Sequence, residues 1–326
     1  MDPIVSVVLP TYNCPHYVGQ AIESMLAQTY ANFELIVIDD GSRDETPEVV
    51  RNYSDPRIRL ITQSNRGLAG TLNRGIQLAR GRYVARQDQD DFSFPERLAR
   101  QVDFLDAHHA CALVGTWAQI WREGETTGRV HAHPCDNAQL KFELLLNNPF
   151  VHSSVMIRKA ALDRIGGYCI DPARQPPEDY ELWLRLAREH DVANIPEVLH
   201  VYREVGGSMS RLGESPFMDH LVTLCAEHIA WAASEPLSNP QVTNLAALAH
   251  GANYRVQDLR GSAEMRNILR RAAVRVTGKD GERFAIEAES RVKALRYRLW
   301  EVRYSTGWRR CLFRAARGVA RLAGRF

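Results

Sequence analysis

Residues 33–42 read FELIVIDDGS, and this segment is the most informative one for predicting the fold. The run Phe33–Ile38 has the composition of a strand and leads directly into two carboxylates, Asp39 and Asp40. A nearly continuous apolar run is typical of a parallel strand that is covered on both faces. Ligands of an open α/β sheet bind at the carboxyl ends of its strands, so we expect a binding site at these two acidic residues.

The sequence around this strand alternates between strand and helix patterns. Apolar residues of Val18–Leu26 recur at positions i, i+3, i+4, i+7 and i+8, which predicts an amphipathic helix. Strand–helix alternation of this kind predicts βαβ crossovers and a mainly parallel sheet. The other predicted strands are Ile4–Leu9, Ile58–Thr62, Tyr83–Arg86, Leu113–Ile120, and two shorter runs near Ser153–Ile157 and Val198–Tyr202. The other predicted helices are Thr46–Tyr53, Leu68–Ala79, Pro95–Ala107, one near Ala138–Leu146 and one that begins at Glu178.

The length of 326 residues predicts two domains, at about 150 residues per domain. Strand patterns end before residue 213, so we predict an α/β domain over residues 1–212 and an all-helical region over residues 213–326. A composition of 45% hydrophobic and 25% charged residues excludes a disordered or collagen-like chain.

The sequence shows no pattern typical of export or of a membrane span. The longest uncharged apolar stretch, residues 110–121, is shorter than the roughly 18 residues that cross a bilayer. Residues 1–9 lack the basic segment and the cleavage site of a signal peptide. The six cysteines are scattered, which favours free thiols in a reducing compartment. We therefore expect a cytoplasmic protein.

A second acidic cluster, residues 88–91 (DQDD), follows the predicted strand Tyr83–Arg86. Carboxylates this close repel one another unless a cation or hydrogen-bond donors neutralise them. Mg²⁺ and Mn²⁺ prefer oxygen ligands, and Mg²⁺ typically binds through one or two carboxylates together with substrate phosphates. The expected cofactor is therefore Mg²⁺ or Mn²⁺. Neither the dinucleotide-binding G-x-G-x-x-G pattern after the first strand nor a P-loop occurs, which argues against a dehydrogenase and a P-loop enzyme.

Eight segments follow one another along the chain: residues 5–13 (VSVVLPTYN), 33–42, 65–69 (NRGLA), 81–83 (GRY), 88–91, 148–154 (NPFVHSS), 166–168 (GGY) and 178–183 (EDYELW). Taken in order, these segments resemble a family 2 glycosyltransferase with the GT-A fold, of the bacterial non-processive type. The resemblance covers about residues 4–210. It implies an α/β fold with a Rossmann-like sheet flanked by helices, to which the C-terminal helical region is added.

The resemblance implies a role for individual side chains. Pro10, Tyr12 and Asp40 match positions that hold the nucleotide base of the donor, and Asp88 would lie near its ribose. The other implied site residues are Asp90 as the metal ligand, Asp179 as the catalytic base, and Glu178, Trp183 and His152 on the acceptor side.

The reaction implied is the transfer of a sugar from a nucleotide-diphosphate donor, expected to be a UDP-sugar, to a hydroxyl of a glycan or lipid-linked acceptor in cell-surface polysaccharide synthesis. The leaving diphosphate gains negative charge, which a bound metal offsets. The acceptor hydroxyl loses its proton as it attacks, so a carboxylate within reach acts as the general base. A single base with in-line displacement inverts the anomeric centre.

The sequence disfavours two alternatives to a glycosyltransferase. A non-catalytic nucleotide-sugar-binding protein of the same fold is disfavoured by the presence of Asp40, Asp90 and Asp179 together. A sugar-nucleotide pyrophosphorylase would be expected to carry a glycine-rich, basic loop after the first strand, and residues 10–13 (PTYN) are not such a loop.

The sequence departs from the family pattern after its last predicted strand. Val205 stands where family members often carry a histidine, which weakens the case for a third protein ligand to the metal, and His200 is only a distant substitute. No Q-x-x-R-W motif is present, so the sequence does not resemble a processive polysaccharide synthase.

The net charge of +2 conceals an asymmetry along the chain. Residues 291–326 hold eleven basic side chains against Glu301, a net charge of +10, which leaves −8 for residues 1–290. In a helix, arginines of residues 309–326 would share one face and apolar residues the other, although Arg309 interrupts the apolar face. This pattern predicts binding to an anionic membrane surface, at the inner face of the plasma membrane. Packing on its own domain is the alternative, and no nucleic-acid reading motif is present, so nucleic acid is not expected as a partner.

Overall fold

A computed structural model describes residues 2–205, 217–256 and 261–304. Contacts among these residues divide them into two compact units. The first unit lies within Met1–Leu144 and Asn148–His220, and the second unit lies within Leu145–Asn147 and Leu221–Phe326. The predicted domain boundary at residue 212 lies outside the described residues and stays a prediction.

A mixed sheet forms the centre of the first unit. Its strands are β1 Val5–Thr11, β2 Phe33–Asp39, β3 Ile58–Thr62, β4 Tyr83–Arg86, β5 Phe92–Ser93, β6 Cys111–Arg122, β7 Glu125–His131, β8 Met156–Arg158 and β9 Asp191–Glu204. The strand order within the described residues is β3-β2-β1-β4-β8-β6-β9-β5, and β7 pairs with β6.

Helices flank this sheet, which confirms the predicted α/β class. The helices of the first unit are α1 Val18–Leu26, α2 Thr46–Arg51, α3 Gly67–Leu78, α4 Arg97–Ala107, α5 Asn137–Glu143, α6 Lys159–Ile165 and α7 Glu178–Glu189. The predicted helix over Val18–Leu26 has the same bounds in the structure, and its apolar positions are buried as the periodicity requires. The helix predicted to begin at Glu178 also begins there.

The first half of the sheet is parallel, as predicted. β1 pairs in parallel with β2 and with β4, so that Val5 lies opposite both Phe33 and Tyr83. Every residue of β1 and β2 is buried, which explains their nearly continuous apolar sequences. Because the three strands run in the same direction, their carboxyl ends meet at one edge of the sheet.

The second half of the sheet differs from the prediction. Antiparallel pairings join β4 to β8 and β8 to β6, so the sheet is mixed rather than mainly parallel. Residues 125–131, which sequence patterns leave as a polar loop, form β7, whose largely exposed side chains give no apolar signal. The strand predicted near Ser153–Ile157 is also shifted, because a 3-10 turn occupies His152–Ser154 and β8 begins at Met156. The last strand extends well beyond its prediction because β9 pairs with β6 along most of its length.

The described part of the second unit is helical, as predicted. Its helices are α8 Phe217–Ala233, which begins in the first unit, α9 Pro240–Ala249, α10 Ser262–Thr277 and α11 Gly281–Tyr304. A short turn at Gly278–Asp280 joins α10 and α11 into a hairpin that buries Ile268, Leu269, Phe284 and Ala288. Among the described helices, none is both long enough and apolar enough to cross a membrane.

A buried arginine connects α4 to the strand end that carries the second acidic cluster. All five N–H groups of Arg97 donate to neutral acceptors of the first unit, and no carboxylate of the described residues pairs with it. These acceptors are Gln101 Oε1 (3.2 Å), Gln87 Oε1 (3.1 Å), Ser93 Oγ (2.8 Å), Arg86 O (2.7 Å) and Val155 O (3.2 Å). Burial lowers the pKa of the guanidinium to about 9, which still leaves it charged at neutral pH.

We expect Arg97→Lys to lower the free energy of unfolding by about 3 kcal/mol or more. Lysine offers three donors without the planar fork of arginine, so buried carbonyl groups lose their partners. Urea denaturation measures the effect. Arg100→Lys on the same helix is the control, because Arg100 is half exposed and pairs with Glu197 at the surface. This substitution should lower the free energy of unfolding by less than about 1 kcal/mol. Equal midpoints for the two variants would contradict the assigned role of Arg97.

Candidate active site

Three loops that follow parallel strands meet at one edge of the sheet. Tyr12 follows β1, Asp40 follows β2, and residues 88–91 follow β4. Backbone hydrogen bonds fix these loops to β1: the N–H of Asp40 donates to Thr11 O (2.9 Å), and the N–H of Gln87 donates to Val8 O (3.1 Å). The structure therefore brings together the side chains that the sequence assigns to donor and metal binding.

The first of these loops presents an aromatic ring to solvent. Tyr12 is 43% exposed, which leaves a face of its ring available for stacking. Pro10 is buried within β1, two residues before Tyr12, and its role in donor binding stays a prediction. Asn13, in a left-handed conformation (φ 47°), joins this loop to the next one: its N–H donates to Ser42 Oγ (3.0 Å), and its Oδ1 accepts from Arg43 N (2.9 Å).

Asp40 is held at the start of α3. Its Oδ1 accepts from Gln63 Nε2 (2.7 Å) and from the N–H of Arg66 (2.8 Å), and its Oδ2 accepts from the N–H of Gly67 (3.0 Å). Gly67 has a positive φ of 73°, a conformation that glycine adopts at no steric cost. A carboxylate has about four acceptor positions, so the buried Asp40 keeps one of them after these three bonds.

The acidic cluster after β4 is neutralised unevenly. Asp88 pairs with the buried guanidinium of Arg86. Asp91 is buried and accepts from Ser153 Oγ and from the N–H of Arg203 (2.8 Å), with His200 Nε2 3.2 Å away. His200 therefore contacts the acidic cluster, although it lies five residues before the position at which the family pattern places a histidine.

Asp90 lies between these paired acids without a comparable partner. No other described residue donates a hydrogen bond to its carboxylate, whereas Arg203 Nη1 contacts its backbone oxygen (3.2 Å). Burial, together with the charges of Asp88 and Asp91, raises the pKa of Asp90 well above its usual range. A half-buried carboxylate to which no other described residue donates is suited to a cation.

The donor set of this cluster fits a hard cation that is shared with a ligand. Within the described ranges, no three His, Cys, Asp or Glu side chains converge on a point that could hold a metal by themselves. The carboxylates of Asp88 and Asp90 are separated by one residue, Gln89, in the loop. Mg²⁺ commonly binds through one or two carboxylates and substrate phosphates. The Val205 side chain offers no ligating atom, and residues 206–216 lie outside the described residues.

A second pair of carboxylates begins α7. Asp179 Oδ2 accepts from Asn148 Nδ2 (2.8 Å), and Asp179 Oδ1 accepts from the N–H of Tyr180 (2.7 Å). Glu178 is almost fully buried, and burial together with the charge of Asp179 raises its pKa to about 7. The two neighbours therefore differ in their environments, a condition under which adjacent carboxyls take different protonation states.

His152 lies beside these carboxylates. Its Nε2 is 2.9 Å from the Tyr168 hydroxyl, and its Nδ1 is 3.9 Å from Glu178 Oε1. Burial and the charge of Arg86 lower its pKa to about 3, so the imidazole is neutral. Trp183 packs against the His152 ring with a centroid distance of 5.8 Å and is fully buried, and its role on the acceptor side stays a prediction.

The two acidic groups belong to one site because a single turn contacts both. Within the 3-10 turn, Ser153 donates to Asp91, and its neighbour His152 lies against Glu178. Sequence reasoning did not assign roles to Arg86, Gln89, Asn148, Ser153, Tyr168 or Arg203. Of these, Asn148, Ser153 and Tyr168 lie in segments that carry the family resemblance, and Arg86 precedes the acidic cluster, so a weak signal was present.

We expect Glu178→Gln to become more stabilising as the pH rises. The native state keeps the Glu178 proton up to about pH 7, whereas the unfolded chain releases it near 4.5, so this residue lowers stability as pH rises between those values. The advantage of the variant should grow by on the order of 2 kcal/mol between pH 5 and pH 8, measured by urea denaturation. Glu189→Gln, near the end of the same helix and partly exposed, should show no such growth. A pH-independent difference for Glu178→Gln would contradict the buried, protonated carboxyl.

The structure resembles known glycosyltransferases along most of its length. Residues 1–349 of S. aureus TarS, in a complex with UDP-GlcNAc, align over 93% of both chains with a TM-score of 0.61 and 19% sequence identity. The mannosyltransferase PcManGT from Pyrobaculum calidifontis, in a complex with GDP-Man and Mn²⁺, aligns with a TM-score of 0.53 and 19% identity, over 92% of this chain and 88% of that chain. These likenesses establish a shared GT-A fold, as the sequence predicts.

The sequence is similar to bacterial glycosyltransferases. EpsE of Bacillus subtilis is 35% identical over 225 residues, which are 68% of this chain and 80% of that protein. The UDP-Glc:alpha-D-GlcNAc-diphosphoundecaprenol beta-1,3-glucosyltransferase WfgD of Escherichia coli is 31% identical over 198 residues, 60% of this chain and 74% of that protein. The model of the family described as "Glycosyl transferase family 2" matches residues 6–166. The chain is therefore a transferase that belongs to glycosyltransferase family 2.

Proposed function

We propose that this protein is an inverting, metal-dependent glycosyltransferase that moves a sugar from a UDP-sugar to a hydroxyl of a lipid-linked glycan. One observation carries the proposal: in a cluster whose other acids are paired, the half-buried Asp90 carboxylate receives no hydrogen bond from another described residue. The proposed donor and acceptor classes are those named in the full name of the relative WfgD.

The donor would be bound at the edge formed by β1, β2 and β4. Its base would stack on Tyr12, and the remaining acceptor position of Asp40 would take a base N–H. Asp88 and Asp90 would hold a Mg²⁺ or Mn²⁺ ion. When bound, this ion offsets the charge that develops on the leaving diphosphate.

Proton transfer in the proposed reaction is assigned to Asp179. Its carboxylate lies in the first turn of α7, where the helix dipole favours negative charge, and Asn148 Nδ2 fixes the orientation of Oδ2. A carboxylate held in this way can accept the proton of an acceptor hydroxyl as that oxygen attacks. Glu178, which keeps its proton up to about pH 7, would donate a hydrogen bond that orients the acceptor sugar.

The test of this mechanism is Asp179→Asn. We expect transfer to fall by roughly 10²- to 10⁴-fold, the usual contribution of a general base, because the amide cannot accept the proton. Donor binding should be unchanged, as measured by thermal shift in a panel of UDP-, GDP-, dTDP- and CMP-sugars with and without Mn²⁺. Asp163→Asn, an exposed ion-pair partner of Lys159 on α6, is the control and should leave both readouts unchanged.

Two outcomes would contradict the proposed function in different ways. Undiminished transfer by Asp179→Asn would remove the general-base role. A wild-type protein that is stabilised by a donor but neither transfers nor hydrolyses the sugar would support the non-catalytic alternative.

We further propose that the basic C-terminal region brings the enzyme to an anionic membrane surface, at the inner face of the plasma membrane, where a lipid-linked acceptor would lie. The charge of +10 over residues 291–326 supports this assignment. The amphipathic residues 305–326 lie outside the described residues.

Removing residues 306–326 should reduce sedimentation with liposomes that contain an anionic lipid, and added salt should weaken the binding of the full chain. A matched variant keeps the apolar residues and replaces by glutamine the five arginines that share one face, Arg310, Arg314, Arg317, Arg321 and Arg325. It should lose binding to anionic liposomes in the same way. Unchanged sedimentation of the truncated chain would reject the membrane assignment.

A further inference from the structure

Gln89, the residue between the two acids of the Asp88-Gln89-Asp90 segment, joins two loops that are 77 residues apart in sequence. Its Oε1 accepts from Thr11 Oγ1 (2.9 Å) and from the N–H of Tyr12 (2.8 Å). Its Nε2 lies 3.5 Å from Tyr12 O, too far to contribute much. One amide oxygen therefore holds the end of β1 and the loop that follows it.

The two joined loops carry different parts of the proposed donor site. Tyr12 offers the exposed ring for the nucleotide base, whereas Asp88 and Asp90 would hold the cation at the diphosphate. Both acids flank Gln89 directly in the chain, so a movement of the loop after β1 is transmitted to them through a single residue.

The chemistry of glutamine suits this position. The amide oxygen accepts two hydrogen bonds without adding a negative charge to a segment that already holds Asp88, Asp90 and Asp91. Gln89 Oε1 is the acceptor that the structure gives for the Tyr12 N–H, so a residue without a side-chain acceptor would leave that N–H without a protein partner.

We propose that Gln89 is a positioning residue that couples recognition of the nucleotide base to cation-dependent binding of the diphosphate. This inference rests on the proposed function, because it requires that the site binds a nucleotide. Gln89 itself need not touch the ligand: it acts through the backbone of Tyr12 on one side and through its chain neighbours on the other.

The experiment measures two ligands on the full chain. Uridine, in the presence of EDTA, reports on base binding alone and is titrated by ligand-observed NMR. UDP, with and without Mn²⁺, reports on the diphosphate and the cation and is titrated by calorimetry. The variants are Gln89→Ala, which removes the acceptor, Gln89→Glu, which keeps the acceptor and adds a charge, and Asp90→Asn, which alters the proposed cation ligand and leaves Gln89 in place.

Gln89→Ala should weaken uridine binding about tenfold, the scale of losing two neutral hydrogen bonds. Uridine has no phosphate that the acidic loop could bind, so this loss would come from the loop that carries Tyr12. It should also reduce the gain in UDP affinity that Mn²⁺ gives. Gln89→Glu should bind uridine as the wild type does, because its carboxylate accepts the same two hydrogen bonds. Asp90→Asn should leave uridine binding unchanged and lose most of the Mn²⁺ effect on UDP.

Several results would overturn the coupling. Wild-type affinity of Gln89→Ala for uridine would show that Gln89 does not position the base loop. Failure of Gln89→Glu to restore uridine binding would exclude the acceptor mechanism, since a merely structural residue would give equal losses in both variants. A wild-type protein that binds neither uridine nor UDP would instead overturn the proposed function, which separates the two failures.

Discussion

The parallel pairing of β1 with both β2 and β4 is the constraint on which the rest of the first unit depends. It places Val5 opposite Phe33 on one side and opposite Tyr83 on the other, so three strand ends are aligned at one edge. A strand rises about 3.3 Å per residue, so a shift of β4 by two residues would move the acidic loop by roughly 6.6 Å. Such a shift would break the 2.8 Å hydrogen bond from Tyr12 to Gln89.

Several carboxylates share this edge, and the fold tolerates them because most are matched to donors. Asp40 accepts from two backbone N–H groups at the start of α3, and Asp91 accepts from a serine hydroxyl and a backbone N–H. Asp88 is paired with Arg86. No other described residue donates to the carboxylate of the half-buried Asp90, whose pKa is raised, so a cation bound beside it would favour its charged form.

On the proposed acceptor side, two adjacent carboxylates have different environments. Glu178 is buried, which raises its pKa to about 7, whereas Asp179 is less buried and is oriented by Asn148. Two neighbours in one helical turn can therefore serve as hydrogen-bond donor and proton acceptor in the same pH range. His152, neutral and packed on the buried Trp183, lies beside Glu178.

Elements with local signals could be predicted from the amino-acid sequence alone. The strands at residues 58–62 and 83–86 and the helix at residues 18–26 follow from apolar runs and periodicity, and the acidic strand ends Asp40 and Asp88-Gln89-Asp90-Asp91 are visible without a structure. The three-dimensional packing was needed to show that β7 is a strand, that Trp183 is buried and that His200 contacts Asp91 across 109 residues of chain. It was also needed to show that Gln89 bonds to the loop after β1 and that no other described residue donates to the Asp90 carboxylate. These contacts join residues far apart in sequence, and local patterns of hydrophobicity do not record which distant side chain completes a hydrogen bond.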